Sequence, residues 1–481
     1  MLPNNRASAL AFAAASGLAL SAGLGFAACS SSTSPTTNSP TTAPGKVWSG
    51  IGTIQDGKGH KLTPLPIPNA PGAGTIYVTN SGESAAVSGW PFPPEATAGD
   101  WSNDTWPVDG WQFVIEKYIV NVANITLWSN PNLSASDQSQ HGPAVAQITG
   151  PFVVDLHNMN VPNVITGQGG APEQAVPLGV FTNQNLNGNA AFDPTVTYGF
   201  GFSTVAASYT SGPNGAAPYN VNLSSDEQAD FDEMVANGYS VLYVGTATWM
   251  GSQSPYGCQQ TNAGAGPGAQ LADAGDDAGG GSPTYVDGGY DFTKLPQTFT
   301  FRFGFSTPTN YVNCQNFTAQ GAGIGNEPNP RGVQVSTSQY AIAQATVHMD
   351  HPFWESFVED TPVHLDQIAA QYVGGDGGIP EAHTEDMKGV SPSAFTDKTG
   401  TPLPWHNCSG SNYTPLGNGQ MFFYTKGIPI DPTGTCMQGN CTVIRDYYDF
   451  MRYTQSTQGH LNSQGACVIE RQFPSPSGTS F

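Results

Sequence analysis

The chain has 481 residues, of which 38% are hydrophobic, so it is long enough and apolar enough to form a sizeable core. Lysine and arginine together number 14 against 36 aspartate and glutamate residues, which gives a net charge of -22 at pH 7. This acidic balance argues against electrostatic binding to nucleic acid or to an anionic membrane surface. The 58 glycines and 39 prolines indicate many turns and few long helices.

Residues 1–28 predict a lipoprotein signal peptide. Arg6 is the only charge before an apolar run that ends in Phe26-Ala27-Ala28, directly ahead of Cys29. This layout is typical of bacterial lipoproteins, so we expect a lipid on Cys29 to anchor the protein in a bilayer. An acidic residue after the cysteine tends to retain such proteins at the inner membrane, and Ser30 therefore implies the outer membrane. A transmembrane helix is the alternative for the same run.

The remaining chain divides by composition. Residues 29–45 are rich in serine, threonine and proline and predict an extended tether. Residues 46–481 predict one β-rich extracytoplasmic domain. Within it, residues 261–283 are rich in glycine, alanine and aspartate and predict a disordered insert.

The cysteines after Cys29 number six, and an even count in an exported protein predicts disulfides. They are Cys258, Cys314, Cys408, Cys436, Cys441 and Cys467. We favour the pairs Cys258–Cys314, Cys436–Cys441 and Cys408–Cys467. A zinc site that uses Cys436 and Cys441 is the alternative for the close pair.

Strands dominate the predicted elements. In chain order the candidates are Lys117–Trp128, Phe152–Leu156, Tyr239–Thr246, Thr298–Phe305 and Gln339–Asp350. In Thr298–Phe305, phenylalanine alternates with threonine and arginine, which is the pattern of a half-buried strand.

Helices are few in the predicted pattern. One follows the capping-box sequence Ser224-Ser225-Asp226-Glu227, another spans Thr442–Gln458, and a shorter one begins near Thr361-Pro362. The pattern as a whole predicts a mainly β fold: an antiparallel β-sandwich core with long loops and two or three short helices.

A histidine cluster supplies the strongest candidate chemistry. On a strand, His348 and Asp350 share a face, and His351 precedes Pro352, so the local backbone can re-aim its side chain. His460, after a predicted helix end, is a further candidate. Imidazole and carboxylate ligands suit zinc or copper, so we expect a metal site formed by these four residues.

Other interpretations of these residues stay open. Histidines at strand ends can serve hydrogen bonding alone, or a metal-free reaction. A metallohydrolase would need a carboxylate such as Glu355 or Asp350 beside a metal-bound water. Of the remaining histidines, His157, His364, His383 and His406 are less constrained by the sequence.

A second class of function starts from tryptophans in a proline-rich segment. Trp90, Trp101, Trp106 and Trp111 could stack on sugars if they were exposed, or pack in the core of the domain. Exposure would favour a structural or adhesive envelope lipoprotein that binds glycans or a protein partner.

Three short motifs, together with the signal sequence, carry a family resemblance over residues 100–470. They are Asp109-Gly110-Trp111, the run His348-Met349-Asp350-His351-Pro352-Phe353-Trp354, and Gln458-Gly459-His460 ahead of Cys467. In these the chain resembles uncharacterised lipoproteins of myxobacteria and related Gram-negative bacteria. The resemblance implies export and a shared β-rich fold, and it implies no established activity.

Overall fold

The computed structural model describes most of the chain after the tether. The described residues are 45–92, 107–212, 215–254, 257–261, 290–325, 327–355, 362–375, 377–390, 395–403, 405–408, 429–430, 442–443 and 446–473. The signal sequence, Cys29, the tether up to residue 44, residues 262–283 of the expected insert, Cys436 and Cys441 lie outside them. Within the described ranges, no helix combines the length and the apolar character that crossing a membrane requires.

The expectation of a mainly β fold is confirmed, because strands occupy 34% of the described residues and helices 15%. Twelve strands form the larger sheet. They are β1 (Thr63–Pro64), β3 (Trp111–Trp128), β4 (Ala144–Ile148), β5 (Phe152–Asp155), β8 (Thr197–Thr204), β9 (Tyr219–Asn220), β10 (Val241–Trp249), β12 (Thr298–Phe305), β13 (Thr309–Val312), β14 (Val333–Gln334), β16 (Glu381–His383) and β22 (Val468–Arg471).

A smaller sheet of six strands and two short ribbons complete the described strands. The six strands, in spatial order, are β21 (Gly465–Ala466), β20 (Gly459–Leu461), β15 (Ala341–Val347), β2 (Ile76–Ser81), β7 (Gln174–Phe181) and β6 (Ile165–Thr166). The ribbons pair β11 (Gln259–Thr261) with β17 (Trp405–Asn407), and β18 (Pro429–Ile430) with β19 (Thr442–Val443).

Both sheets are mixed rather than purely antiparallel. The pairs β1–β9, β5–β9 and β12–β16 run parallel in the larger sheet, and β2–β15 runs parallel in the smaller one. The two sheets share one apolar core, to which β3 and β12 contribute from one side and β2 and β15 from the other. The hydroxyl of Tyr118 on β3 donates to the carbonyl oxygen of Val347 on β15 at 3.2 Å, which ties the sheets together across this core.

The strand β12 has the predicted bounds, and the alternation of its side chains explains why. Its four phenylalanines are fully buried, whereas Arg302 on the opposite face forms ion pairs with Asp230 and Glu233. Those two acids lie on α2 (Gln228–Asn237), which begins after the predicted capping box of Ser224 and Glu227 and ends at Gly238 in the left-handed conformation.

The other α-helices in the described part of the chain are α1 (Glu83–Ser88), α3 (Asp366–Ala369) and α4 (Tyr447–Gln455). The predicted helix Thr442–Gln458 is too long, because Thr442 and Val443 form a strand and the Asp446 side chain caps α4 by accepting from Asp449 N at 2.9 Å. Helix α3 begins later than the prediction near Thr361-Pro362. Its start is capped by the distant Asp109, whose Oδ2 accepts from Leu365 N at 2.6 Å and from Asp366 N at 2.8 Å.

Two of the favoured disulfide pairs, Cys258–Cys314 and Cys408–Cys467, are wrong, because the structure contains Cys258–Cys408 and Cys314–Cys467. The third, Cys436–Cys441, lies outside the described residues. Strand pairing decides both observed disulfides. Gln259 faces Asn407 in the β11–β17 ribbon, which puts the preceding Cys258 opposite the following Cys408. Val312 faces Val468, so β13 and β22 bring the ends that carry Cys314 and Cys467 together.

Candidate metal centre

His348 directly follows the end of strand β15. The last paired residue of the strand is Val347, and His348 N donates to the carbonyl oxygen of Gln458 at 2.8 Å. A 3-10 turn over His351–Phe353 follows. The expectation that the strand reaches Asp350 is therefore wrong, and it is the turn, not a strand face, that directs the side chains after His348.

Strand β20 brings His460 to the same place. It pairs antiparallel with β15, and His460 lies opposite Thr346 in the register. Side chains of opposite residues share a sheet face, and the residue two further along is the diagonal neighbour. His460 therefore lies beside His348, and the two rings stack with their centroids 4.0 Å apart.

His348, His351 and His460 form a compact cluster, the histidine triad. One nitrogen from each ring lies within 4.8 Å of the other two. The ring of His351 stands nearly perpendicular to those of His348 and His460, at centroid distances of 5.1 and 5.5 Å. All three are at most 2% exposed.

Hydrogen bonds set which ring nitrogen of His351 is available. His351 Nδ1 lies 2.7 Å from Thr457 Oγ1, and the Thr457 hydroxyl donates its own proton to Thr454 O. The Thr457 oxygen therefore accepts from Nδ1–H, which leaves a lone pair on Nε2. Among the described residues, none forms a hydrogen bond with this buried Nε2.

The same reasoning assigns the tautomer of His348. Its Nε2 lies 3.1 Å from Ser463 O. A carbonyl oxygen can only accept, so Nε2 carries the hydrogen and Nδ1 carries the lone pair in the neutral ring.

Burial keeps two histidines of the triad, His351 and His460, in the form that binds metals. Loss of solvent, followed by the charge of the neighbouring imidazoles, lowers the pKa of His351 well below its ordinary value. Burial and the nearby His348 lower the pKa of His460 in the same direction. Neutral imidazole is the ligand form, so both rings are ready to coordinate a cation near neutral pH.

Asp350, the fourth predicted ligand, belongs to a second group of possible ligands, with Glu83 and His348. Its Oδ2 accepts from Trp354 Nε1 at 2.7 Å, and burial raises its pKa to about 7. A carboxylate oxygen of Asp350 lies within 4.8 Å of His348 and of Glu83, but Asp350 is not grouped with His351 and His460. The structure thus brings three of the four predicted residues together and places Asp350 in a second, overlapping group.

Glu83 was missed by sequence reasoning. Its Oε1 lies 3.2 Å from His348 Nε2 and accepts from Gln464 Nε2 at 3.1 Å. It stands at the start of α1, where its φ of 64° is unusual for a residue other than glycine. No sequence motif identifies Glu83 as a neighbour of His348, because the two residues are brought together by the pairing of β2 with β15.

The other histidines lie in separate surroundings. His157 Nδ1 lies 2.9 Å from Ala86 O, and the half-exposed His383 pairs with Glu381. Glu355, the candidate base of a metallohydrolase, lies 2.9 Å from His364 Nε2 instead of in the triad. His406 stacks on Phe292 with ring centroids 3.9 Å apart.

A third group of possible ligands is Cys258, His406 and Cys408. Its two sulfur atoms are bonded to each other, so neither is a thiolate that could bind a cation in the oxidised protein. Of the four tryptophans in the proline-rich segment, the two that the structure describes are not available at the surface for stacking on sugars. Trp90 and Trp111 are 2% and 1% exposed and lie in the core, whereas Trp101 and Trp106 lie outside the described residues.

No model of a known protein family, no curated protein and no solved structure matches this chain.

Proposed function

We propose that this protein is an exported, lipid-anchored envelope protein that binds a transition metal, zinc or copper, through His348, His351 and His460. The observation that carries the proposal is the convergence of three buried imidazoles whose nitrogens lie within 4.8 Å of one another. Zinc bonds to imidazole nitrogen of about 2.0–2.1 Å space tetrahedral ligands about 3.3 Å apart. Binding one zinc ion would therefore bring the ring nitrogens closer together than the 4.8 Å within which they now lie.

The polarity of the cluster supports a cation as its occupant. Burying a polar group without a hydrogen-bond partner is unfavourable, and His351 Nε2 is such a group within the described part of the chain. The ring is held by Thr457 on its other nitrogen, which is how outer-sphere groups commonly orient ligating histidines. The burial of Trp90 and Trp111 gives no support to the alternative of glycan binding through aromatic loops.

Elemental analysis of the full-length protein, purified in detergent and loaded with zinc or with copper, tests the metal site. We expect close to one ion per chain, and its loss in the variants His351→Ala and His460→Gln. The control is His383→Ala, because His383 is 42% exposed and lies in a separate group. Circular dichroism shows whether each variant folds. Folded variants that keep the ion, or a wild-type chain that takes up none, would contradict the proposal.

The anchor is supported by the signal sequence and by the two disulfides, which suit an oxidising compartment. Labelling of cells with radioactive palmitate tests it. We expect the label in wild-type protein and none in the variant Cys29→Ser. Equal labelling of both proteins would show that Cys29 is not the lipid attachment site.

A further inference from the structure

We propose that Glu83 is the outer-sphere carboxylate of the metal centre: it accepts a hydrogen bond from Nε2–H of His348 and so directs Nδ1 of that ring toward the ion. This inference rests on the proposed function, since a positioning residue has a role only if the triad binds metal. It adds a residue and a specific ligand atom that the proposed function does not contain.

The contacts of His348 Nε2 support this role. Two acceptors lie at hydrogen-bond distance from this one nitrogen, Ser463 O at 3.1 Å and Glu83 Oε1 at 3.2 Å. A carbonyl and a carboxylate around the same atom require that it carries hydrogen. Metal-bound histidines commonly donate their second ring N–H to a carboxylate or a backbone carbonyl, and here both acceptors are in place.

The strand register explains how a residue so distant in sequence reaches His348. Strands β2 and β15 run parallel, with Ser81 opposite Thr346. Two residues beyond this pair lie Glu83 on one chain segment and His348 on the other. The antiparallel neighbour β20 places His460 opposite the same Thr346. Three strands thus end or begin at one place, and each contributes one side chain to the centre.

The backbone of Glu83 indicates that its position is maintained against a local preference. Its φ of 64° falls in the left-handed region, which is unfavourable for side chains other than glycine. Strained residues of this kind concentrate at functional sites. The amide of Glu83 donates to Ser81 Oγ at 3.0 Å, and Gln464 Nε2 donates to its carboxylate at 3.1 Å, so both ends of the residue are held.

Exposure distinguishes Glu83 from the triad. Its side chain is 20% exposed, whereas that of His348 is 1% exposed. The carboxylate of Glu83 is therefore less buried than the ring of His348, and it brings a negative charge next to the triad. A negative charge on the hydrogen-bond acceptor makes the ring a better electron donor to a cation.

Zinc titration of the full-length protein against a competing chelator tests the role of Glu83. We expect Glu83→Gly to weaken zinc binding by about 10–100-fold, as is usual for loss of an outer-sphere partner. Glu83→Gln should fall between this variant and wild type, because an amide oxygen still accepts from Nε2–H. The matched control is Glu381→Gln, since Glu381 and His383 form an equal 3.2 Å pair in a separate group, and zinc binding should not change.

Two further readouts separate positioning from a merely structural role. Glycine accepts the left-handed backbone, so Glu83→Gly without metal should unfold within a few degrees of wild type. Nitrogen-15 NMR of histidine-labelled protein should show hydrogen on Nε2 of His348 both before and after zinc is added. A structural residue would instead lower the unfolding temperature without a selective effect on zinc.

Each contrary result has a distinct meaning. Zinc affinity within twofold of wild type in Glu83→Gly would overturn the role of Glu83 and leave the proposed function intact. Zinc bound to Nε2 of His348, or a second ion per chain that is lost in Glu83→Gly, would show that Glu83 is a direct ligand and would overturn the outer-sphere assignment. No zinc in the wild-type chain would refute the proposed function itself.

Discussion

At the scale of single residues, the carboxyl group of Glu227 links stability to pH. Glu227 is 4% exposed, and its Oε2 accepts from Ser224 N at 2.6 Å. Burial, followed by the charge of Asp155, raises its pKa from an ordinary 4.5 to about 7. The folded state therefore holds the proton more tightly than the unfolded state. The resulting stabilisation is fully present below pH 4.5 and is lost as the pH rises through 7.

We expect Glu227→Gln to reduce the fall in stability between pH 4.5 and 7, because glutamine keeps the hydrogen-bond acceptor and does not titrate. The difference from wild type should be at most about 3 kcal/mol across this range. Urea unfolding at pH 5, 6, 7 and 8 measures it. Asp226→Asn, which changes an exposed acid in the same turn, is the control. Identical pH dependence in wild type and Glu227→Gln would refute the assignment.

At the scale of elements, the β20–β21 hairpin positions one side of the metal centre. Its turn contains Asn462 and Ser463 with φ of 54° and 74°. Asn462 is buried, and its Oδ1 accepts from Gln344 N at 2.9 Å while its Nδ2 donates to Asn316 Oδ1 at 2.9 Å. This side chain holds the turn against β15, and the turn in turn supplies Ser463 O to His348.

Asn462→Ala should therefore weaken both folding and metal binding. Lost hydrogen bonds and an unfavourable left-handed alanine should together cost about 2–4 kcal/mol. Asn189→Ala is a matched control, because Asn189 has a φ of 58° but is exposed. Thermal unfolding and zinc titration of both variants measure the effects. A loss of zinc affinity in Asn189→Ala as large as in Asn462→Ala would contradict a specific role for the hairpin.

At the scale of the whole molecule, two disulfides join distant parts of the chain. The cysteines are 150 residues apart in Cys258–Cys408 and 153 residues apart in Cys314–Cys467. Closing loops of this length restricts the unfolded chain by about 5 kcal/mol in the chain-entropy description. The two disulfides differ in their distance from the metal centre. Cys467 directly follows β21 of the β20–β21 hairpin, whereas Cys408 lies in a small separate cluster with Phe92.

We expect the double variant Cys314→Ser/Cys467→Ser to lose both stability and zinc affinity, and Cys258→Ser/Cys408→Ser to lose stability alone. Each loss of stability should be about 2–5 kcal/mol. Chemical unfolding and zinc titration of the two variants check this, and peptide mapping of the wild type checks the pairing. Equal losses of zinc affinity in the two variants would show that the disulfide beside the hairpin has no special link to the centre.

Local patterns in the sequence were sufficient for some elements. The alternation of phenylalanine with polar residues predicted β12 with its observed bounds, because alternate side chains point to opposite faces. The capping box of Ser224 and Glu227 predicted the start of a helical segment, because it satisfies backbone amides within four residues. The end of β15 was misplaced, because the hydrogen bond from His348 N to Gln458 O depends on a segment more than a hundred residues later.

By itself, the sequence determined the mainly β class and the identity of the imidazoles in the candidate centre, since both follow from residue type and local spacing. Only the tertiary structure decided which cysteines pair, that the turn after β15 brings His351 to His348 and His460, and that Glu83 joins them. These features depend on strand register between distant segments. Register is set by the fit of all side chains in the sheets at once, so no local pattern contains it.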